Sequence, residues 1–577
     1  DEYMNLVTHN AGNIPINEDD LKVNNDGTFT ISKNYLDSNP EFYSLDDEGN
    51  MYISKKFFDL DEKGTRQPQI SVVILDHNTG KLKALIGGRD EEGRWVLNRT
   101  NMPRQPGSTM KPVSAYITAL DNGYAPSTAV DDVPFMMLDG NPWPSNWDGR
   151  YRGVMSLRHA IVISENPPAI KTLNDVGIDT TINYLDKLGI VDKKHPERDT
   201  FISKEENPAE NDEVLSLAIG GMTHGVSNIR LTGAYGGIAN YGKFHEPTSI
   251  SKIVNSNDEV IYEIPEDVEQ VIPETVAYQM IDILSSSISE NSTYGQIENQ
   301  HTIGKTGTTS ENRDLWFVSS TPYYSIGVWM GADDQNIAVT GTSMYPGIMA
   351  KKIGDLIHEG LEYKEFTRPD GIIEKNVCAY SGLLPSDACV QAGNVVTEIF
   401  DESNVPTREC DLHVYVTVDS RNNLLATNDT PNQYRANRIF VKRPFDYNPS
   451  EFNYTYPEDW RQGPPTQYSE LKGSSVETSK LEDGTVRVNT FHEDGSITSV
   501  DTKPDGTIIT SVYDPNGNLI NQEIKKPEPE KPPKENDGEK PPNEKPPKED
   551  PPGNNDGGGD GDNNNNNEGD KKPEGDS

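Results

Sequence analysis

Ser108 stands three residues before Lys111 in the stretch RQPGSTMKP (104–112), a spacing from which an acyl-transfer nucleophile can be assembled. A serine hydroxyl is a weak nucleophile near neutral pH and needs a base beside it. Residues three apart share a helix face, so the Lys111 amine can reach the Ser108 hydroxyl. A lysine acts as that base only after losing its proton, which burial and a second nearby cation both favour. Taken alone, the pair fits an N-cap serine with a solvated lysine better than a catalytic couple.

Two later segments shift that balance. In Ser164-Glu165-Asn166 a second hydroxyl can relay a proton between nucleophile, lysine and leaving amine, and the Asn166 amide can hydrogen-bond a substrate amide. Isolated, this tripeptide also reads as a helix C-cap followed by a turn. In Lys305-Thr306-Gly307-Thr308 the lysine supplies the second cation and a partner for a substrate carboxylate, while the threonines supply hydroxyls. The backbone N–H groups of Ser108 and Thr308 together offer an oxyanion hole. A lone segment of this kind is more often a turn at a strand edge. All three in this order, 56 and then 141 residues apart, are much harder to obtain by accident. Glu165, in the middle of the second motif, receives no role.

Positioning these groups requires particular elements. Pro106-Gly107 breaks the chain before Ser108, and Met110, Val113, Ala115, Tyr116, Ile117, Ala119 and Leu120 predict a buried helix starting near Ser108. Leu157, Ala160, Ile161 and Ser164 recur at helical spacing, and Pro167-Pro168 is expected to stop that helix. Residues 301–308 read as a strand, followed by a turn and two apolar runs, WFVSS and YSIGVWMG, in an antiparallel meander. Gly304 and Gly307 allow another backbone to approach that strand, along whose edge an extended substrate can pair.

With these motifs, residues from roughly 68 to 365 resemble the transpeptidase domain of the class A (bifunctional) penicillin-binding proteins. PQISVVILDHNTGKLKALIGGRD (68–90) is similar to the family's opening hairpin, NWDGRYRGVMSLRHAI (146–161) to its run into the second motif, and LAIGGMTHGVSNIRLTGAYGGIANYGKFHEP (217–247) to its central helical region. NRDLWFVSSTP and GVWMGADD resemble its sheet strands. The resemblance implies an α/β (α+β) fold of the penicillin-binding transpeptidase and serine β-lactamase type, with an antiparallel five-stranded sheet covered by helices. It implies a peptidoglycan D,D-transpeptidase that cross-links stem peptides through a serine acyl-enzyme and is acylated by β-lactam antibiotics. On this chain the catalytic residues are then Ser108, Lys111 and Ser164, and the substrate-binding residues Asn166, Lys305, Thr306, Gly307 and Thr308, with no metal and no cofactor.

A D,D-carboxypeptidase, a β-lactamase, and a non-catalytic β-lactam sensor or wall-binding protein are the alternatives. The main class of β-lactamases holds its hydrolytic water with a glutamate four residues before an asparagine. Here SKEENPAEN (203–211) places Asn207 four residues before Asn211, which disfavours rapid hydrolysis. Class A relatives usually begin with a cytoplasmic tail, one membrane helix and a glycosyltransferase domain. The chain opens at Asp1 without a signal peptide or an apolar run of the roughly 18 residues a span needs. It is therefore expected to be the C-terminal portion of a longer bifunctional protein, associated with the membrane only through a missing N-terminal segment. Its expected place is the extracytoplasmic face of the bacterial cell membrane, in the cell wall, among other cell-wall synthesis proteins.

Composition narrows the partners and outlines the domains. Over 577 residues only 33% are hydrophobic, and a net charge of −41 argues against nucleic acid, whose phosphates need a basic face. Residues 1–67 read as a β-rich linker region, 68–365 as the transpeptidase domain and 366–450 as a cysteine-containing extension. Within that extension Cys378, Cys389 and Cys410, with His413 close behind, fit either a disulfide with one thiol left over or a Cys3His zinc site. The disulfide is preferred outside the cytoplasm and no metal is assigned. Residues 451–523 form a linker and a repeat in which Gly484, Gly495, Gly506 and Gly517 recur every 11 residues, predicting short successive hairpins. Residues 524–577, rich in proline, glycine, asparagine and charge, are expected to be a disordered tail.

Overall fold

The computed structural model describes residues 3–6, 20–23, 29–45, 51–53, 68–89, 96–265, 268, 270–335, 337–471, 475–492 and 495–527; nearly all of the expected tail lies outside them. The chain divides into two units, Asp1–Gly473 and Ser474–Ser577.

The first unit is organised by a five-stranded sheet with the spatial order Ile303–Thr308, Asp314–Ser320, Ser325–Gly331, Gln69–Asp76, Lys81–Ile86. Every neighbouring pair is antiparallel, with Lys305 opposite Val318 and Gly307 opposite Trp316. The Lys305 strand is thus an edge, and its partner Asp314–Ser320 is buried at every position. Burial on both faces requires a layer on each side. Alternation along that strand divides its side chains: Trp316 and Val318 join the core of the helix Asn228–Ala239, including Leu231 and Ala234. Phe317 joins Ile326, Val328 and Ala350, the last from the helix Met344–Ile357.

Two local expectations are corrected. The helix predicted from Ser108 is interrupted: Gly107–Thr109 is a 3-10 turn, Met110 and Lys111 are α-helical, Pro112–Tyr116 is π-helical, and Ile117–Asp121 is α-helical again. Pro112 stands four residues after Ser108. It has no N–H for the Ser108 carbonyl, and in a regular α-helix its ring would collide with that carbonyl. The chain adopts the wider turn instead, the Ile117 N–H bonding the Pro112 carbonyl.

The second correction concerns Pro167-Pro168, which open a helix rather than stop one. The helix Leu157–Val162 ends first, and Asn166–Val176 begins with the prolines in its first turn. First-turn N–H groups have no intrahelical partner, so nothing is lost there, and the fixed proline φ suits a helix. Ser164 sits between the two helices with φ of 67°, a left-handed conformation uncommon for serine.

Beyond the sheet, Ile372–Cys378 pairs with Val395–Asp401, and His413–Asp419 with Arg435–Val441. This region is tied to the preceding one by Arg158, which donates to Glu398 and Asp282, and by Arg443, which pairs with Asp131 and Asp459. The preferred disulfide is not formed: all three cysteines carry free, buried thiols. Near the start of the chain, Tyr3–Leu6 and Leu21–Val23 flank Phe29–Ser32 in a three-stranded sheet. Among the described residues no helix is long and apolar enough to cross a membrane.

In the second unit five strands from Ser475–Lys480 to Leu519–Lys525 form one antiparallel meander. Gly484, Gly495, Gly506 and Gly517 each take φ between 82° and 85°, a conformation glycine adopts without strain, and they form its four turns.

Candidate active site

The Ser108 turn is held against the sheet by the two residues just before Pro106. Buried Arg104 pairs with Asp314 at 2.7 Å and lies 4.9 Å over the Trp329 ring. The Trp316 indole N–H donates to the Gln105 carbonyl at 2.8 Å. Just after these anchors the turn meets the Lys305 strand backbone to backbone. A Cβ on Gly107 would stand 2.6 Å from the Thr308 carbonyl oxygen, and one on Gly307 would stand 2.5 Å from that of Pro106. Only glycine permits either approach. Tyr235, on the helix Asn228–Ala239, donates to the Thr109 carbonyl at 2.8 Å.

Lys111 and Lys305 are both fully buried, and both point to Ser164. Lys111 Nζ donates to the Ser164 carbonyl at 2.6 Å and reaches its Oγ at 3.4 Å. Lys305 Nζ donates to the same Oγ at 2.8 Å and to its neighbour's carbonyl, Thr306, at 3.3 Å. Among the described residues no hydrogen bond joins Lys111 to half-buried Ser108, one turn away. Burial first, and then the Lys305 cation, hold the Lys111 ammonium well below the usual lysine range, while Glu165 and Asp132 pull it back. Burial brings Lys305 down to about 7. Two amines sharing one hydroxyl away from water therefore favour a state in which one of them is neutral near physiological pH.

The remaining predicted residues surround this centre. The Asn166 backbone N–H donates to Asn146 Oδ1 at 2.8 Å, and its side-chain Nδ2 to the Ser145 carbonyl at 2.8 Å. Among the described residues its second side-chain N–H and its side-chain oxygen have no further hydrogen-bond partner. Thr306 is half-buried and Thr308 exposed at the end of the edge strand. A cavity of about 650 Å³ lined by Ser127, Arg158, Asp282 and Glu398 contains none of these residues.

Glu165, given no role from sequence, is a buried carboxyl that forms an ion pair with Arg152 at 2.6 Å. Burial and the nearby Asp132 push it up to about 8, against the pull of Arg152 and Lys111. Asp132, itself raised to about 6 by burial, accepts from Asn146 at 2.8 Å and from the Arg152 backbone N–H at 2.7 Å. These groups fix the segment carrying Ser164 from behind. In the fold Glu165 is followed by buried Pro167, Pro168 and Ala169, a burial that no local feature of the sequence announces.

The sequence profile of the penicillin-binding protein transpeptidase domain matches residues 70–343, and that of the penicillin-binding protein 1A C-terminal domain matches residues 368–415. Penicillin-binding protein 1A of Clostridium botulinum is 30% identical over 405 residues, 67% of this chain and 46% of that protein. Penicillin-binding protein 1F of Bacillus subtilis is 32% identical over 390 residues, 65% of this chain and 49% of that one. The chain thus spans about half the length of the curated relatives it matches. A crystal structure of penicillin-binding protein 1A from Haemophilus influenzae is 21% identical, covering 64% of this chain and 57% of that one with a TM-score of 0.49.

Proposed function

The chain belongs to the class A penicillin-binding protein family, whose transpeptidase domain it carries at residues 70–343, and on that premise we propose that it is a peptidoglycan D,D-transpeptidase acting through an acyl-serine at Ser108. The observation that carries this reading is the Ser164 hydroxyl within 2.8 Å of one buried lysine amine and 3.4 Å of another, beside the turn that presents Ser108.

In the forward step, Ser108 Oγ attacks the carbonyl of the penultimate D-alanine of a stem peptide. Its proton passes to the neutral Lys111 amine, and negative charge develops on the carbonyl oxygen. In this reading the Ser108 and Thr308 backbone N–H groups stabilise that oxygen, which is supported by the contact of their two segments: a Cβ on Gly107 would lie 3.2 Å from Thr308 N. One such donor is typically worth about a hundred- to a thousandfold in rate. As the C–N bond breaks, Lys111 returns the proton through Ser164 to the leaving D-alanine amine. Lys305, with the Thr306 and Thr308 hydroxyls, holds the terminal carboxylate, and the free side of the Asn166 amide faces the donor's peptide group. An acceptor amine then attacks the ester and gives up a proton to Lys111; the acyl C–O bond breaks as the new amide forms, and Lys111 returns that proton to the Ser108 oxygen. A β-lactam follows the first half alone, because its leaving amine stays tethered in the site.

The segment 203–211 supports slow release of that adduct. Glu206 accepts from the Ser203 hydroxyl at 2.8 Å, and Asn207, the residue four before Asn211, is an amide that accepts from the Ala209 N–H at 3.2 Å, so that position carries no carboxylate to hold a hydrolytic water. We place the enzyme on the outer face of the cell membrane, with stem peptides as substrate and β-lactams as inhibitors. Incubation with a labelled penicillin followed by peptide mapping tests the reading. One acyl group should be found on Ser108 and persist for minutes to hours. Label on another serine, or an adduct that decays within seconds with many β-lactams hydrolysed, would replace it with a different nucleophile or a β-lactamase.

A further inference from the structure

Three cysteines and one histidine from separate parts of the extension converge at a single buried point. Cys378 ends the strand Ile372–Cys378, Cys389 lies in the short helix Asp387–Gln391, Cys410 precedes the next strand, and His413 begins it. None is more than 4% exposed. The Nδ1 atom of His413 lies 3.5 Å from Cys378 Sγ, 3.4 Å from Cys389 Sγ and 3.6 Å from Cys410 Sγ. All four atoms fall within 4.8 Å of one another.

A single N–H can point at only one acceptor, so hydrogen bonding does not account for a nitrogen equidistant from three sulfurs. Tetrahedral coordination does. With Zn–S near 2.3 Å and Zn–N near 2.0–2.1 Å, neighbouring sulfur and nitrogen ligands stand about 3.5 Å apart. The surroundings suit a ligated imidazole and thiolates as well. With Nδ1 facing the sulfurs, Nε2 carries the ring proton; Asn394 Nδ2 lies 2.9 Å from it, and a flip of that amide places its oxygen there as the acceptor. The Ser386 hydroxyl lies 3.2 Å from Cys389 Sγ and can donate to a thiolate. Tyr380, Leu383, Val395 and Leu412 enclose the group in apolar side chains.

We propose that Cys378, Cys389, Cys410 and His413 form a closed structural zinc site. Four protein ligands leave no open position, so the ion supplies stability rather than chemistry. It cross-links the two strand pairs of the extension, and it keeps three thiols ligated where oxidation would otherwise pair two of them and strand the third. The same extension holds Arg158 through Glu398, and Asn404 Nδ2 donates to the Tyr124 carbonyl at 2.8 Å, so metal loss loosens a region that abuts the catalytic fold.

The test uses the full chain purified under reducing conditions, dialysed after equilibration with zinc(II). Elemental analysis should give about one zinc per chain, as a single tetrahedral site requires. The three thiols should resist a thiol reagent until a chelator is added and then react together. Cys389→Ser and His413→Ala should each bring the zinc content close to zero. Should those variants not fold, cobalt(II) substitution of the unaltered chain should give intense thiolate-to-metal charge-transfer bands with the d–d spectrum of a tetrahedral site. A chain that takes up neither ion would overturn the proposal, whether it showed one titratable thiol, as a disulfide leaves, or three.

Discussion

Lys305 Nζ donates to Ser164 Oγ across 2.8 Å although 141 residues separate them in the chain. Among the described residues the Ser164 hydroxyl is the hydrogen-bonding group that both lysine amines share. Replacing Ser164 with alanine removes the relay and leaves two buried amines with carbonyl partners alone. Acylation of Ser164→Ala by a fluorescent penicillin should fall by about 10²–10⁴, the usual range for a positioned proton-transfer group. Its thermal midpoint should stay close to that of the parent. A loss of less than tenfold would remove Ser164 from the proton path.

The two lysines should also separate by pH. On the proposed mechanism acylation needs a neutral amine at Lys111, whose ammonium form is disfavoured by burial and by the Lys305 cation. The rate should therefore rise with pH and level off on the alkaline side. In Lys305→Met the neighbouring positive charge is gone, Lys111 holds its proton more firmly, and the rising limb should move to higher pH, with weaker binding of ligands that carry a carboxylate. Stopped-flow acylation from pH 5 to 9 decides the point. A limb that stays in place, or moves to lower pH, contradicts the assignment of base and second cation.

Much of this site was legible in the sequence because its parts are local. The strand Ile303–Thr308 and its two successors show as apolar runs between turns, and Gly307 marks a close approach that the backbone does make with Pro106. The misreadings came where one residue obeys two rules. Pro112 sits among good core residues but cannot complete an α-turn from Ser108, and Pro167-Pro168 begin a helix as readily as they end one. Glu165 was missed because burial of a charge is a tertiary property: nothing near it in sequence names Arg152 or Asp132 as neighbours. The cysteines were misread for the same reason, since the convergence of four distant positions on one point is set by the fold.

Gly307→Ala tests whether the contact between turn and strand matters for chemistry. The added methyl would lie 2.5 Å from the Pro106 carbonyl oxygen and 2.8 Å from Thr109 Cγ2, so the edge strand must move away from the Ser108 turn. Overpacking of this kind costs about 1–3 kcal/mol. Acylation should fall by far more than stability does if, as proposed, the displaced Thr308 is one of the two oxyanion donors. Loss of stability with acylation unchanged in the folded fraction would show that the contact is merely structural.

Glu165→Gln isolates the buried carboxyl. Its folded-state value, about 8, lies above the ordinary 4.5, chiefly because burial penalises the charged form. Between those values the folded chain binds more protons than the unfolded one. The stability associated with the protonated carboxyl is fully present below 4.5 and is lost as pH rises through about 8. Lys305 has the opposite sign, its depressed value making stability rise with pH between about 7 and 10.5, so the parent's total profile is a mixture. The difference between variant and parent removes that contribution. Glutamine resembles the protonated carboxyl, so Glu165→Gln should unfold near the parent's midpoint at pH 5 and above it at pH 8, the gap widening by at most about 1.4 kcal/mol per pH unit. Calorimetry at both pH values measures it. A gap that is constant, or that narrows as pH rises, would mean that Glu165 stays ionised in its pairing with Arg152 and serves the fold as a charge.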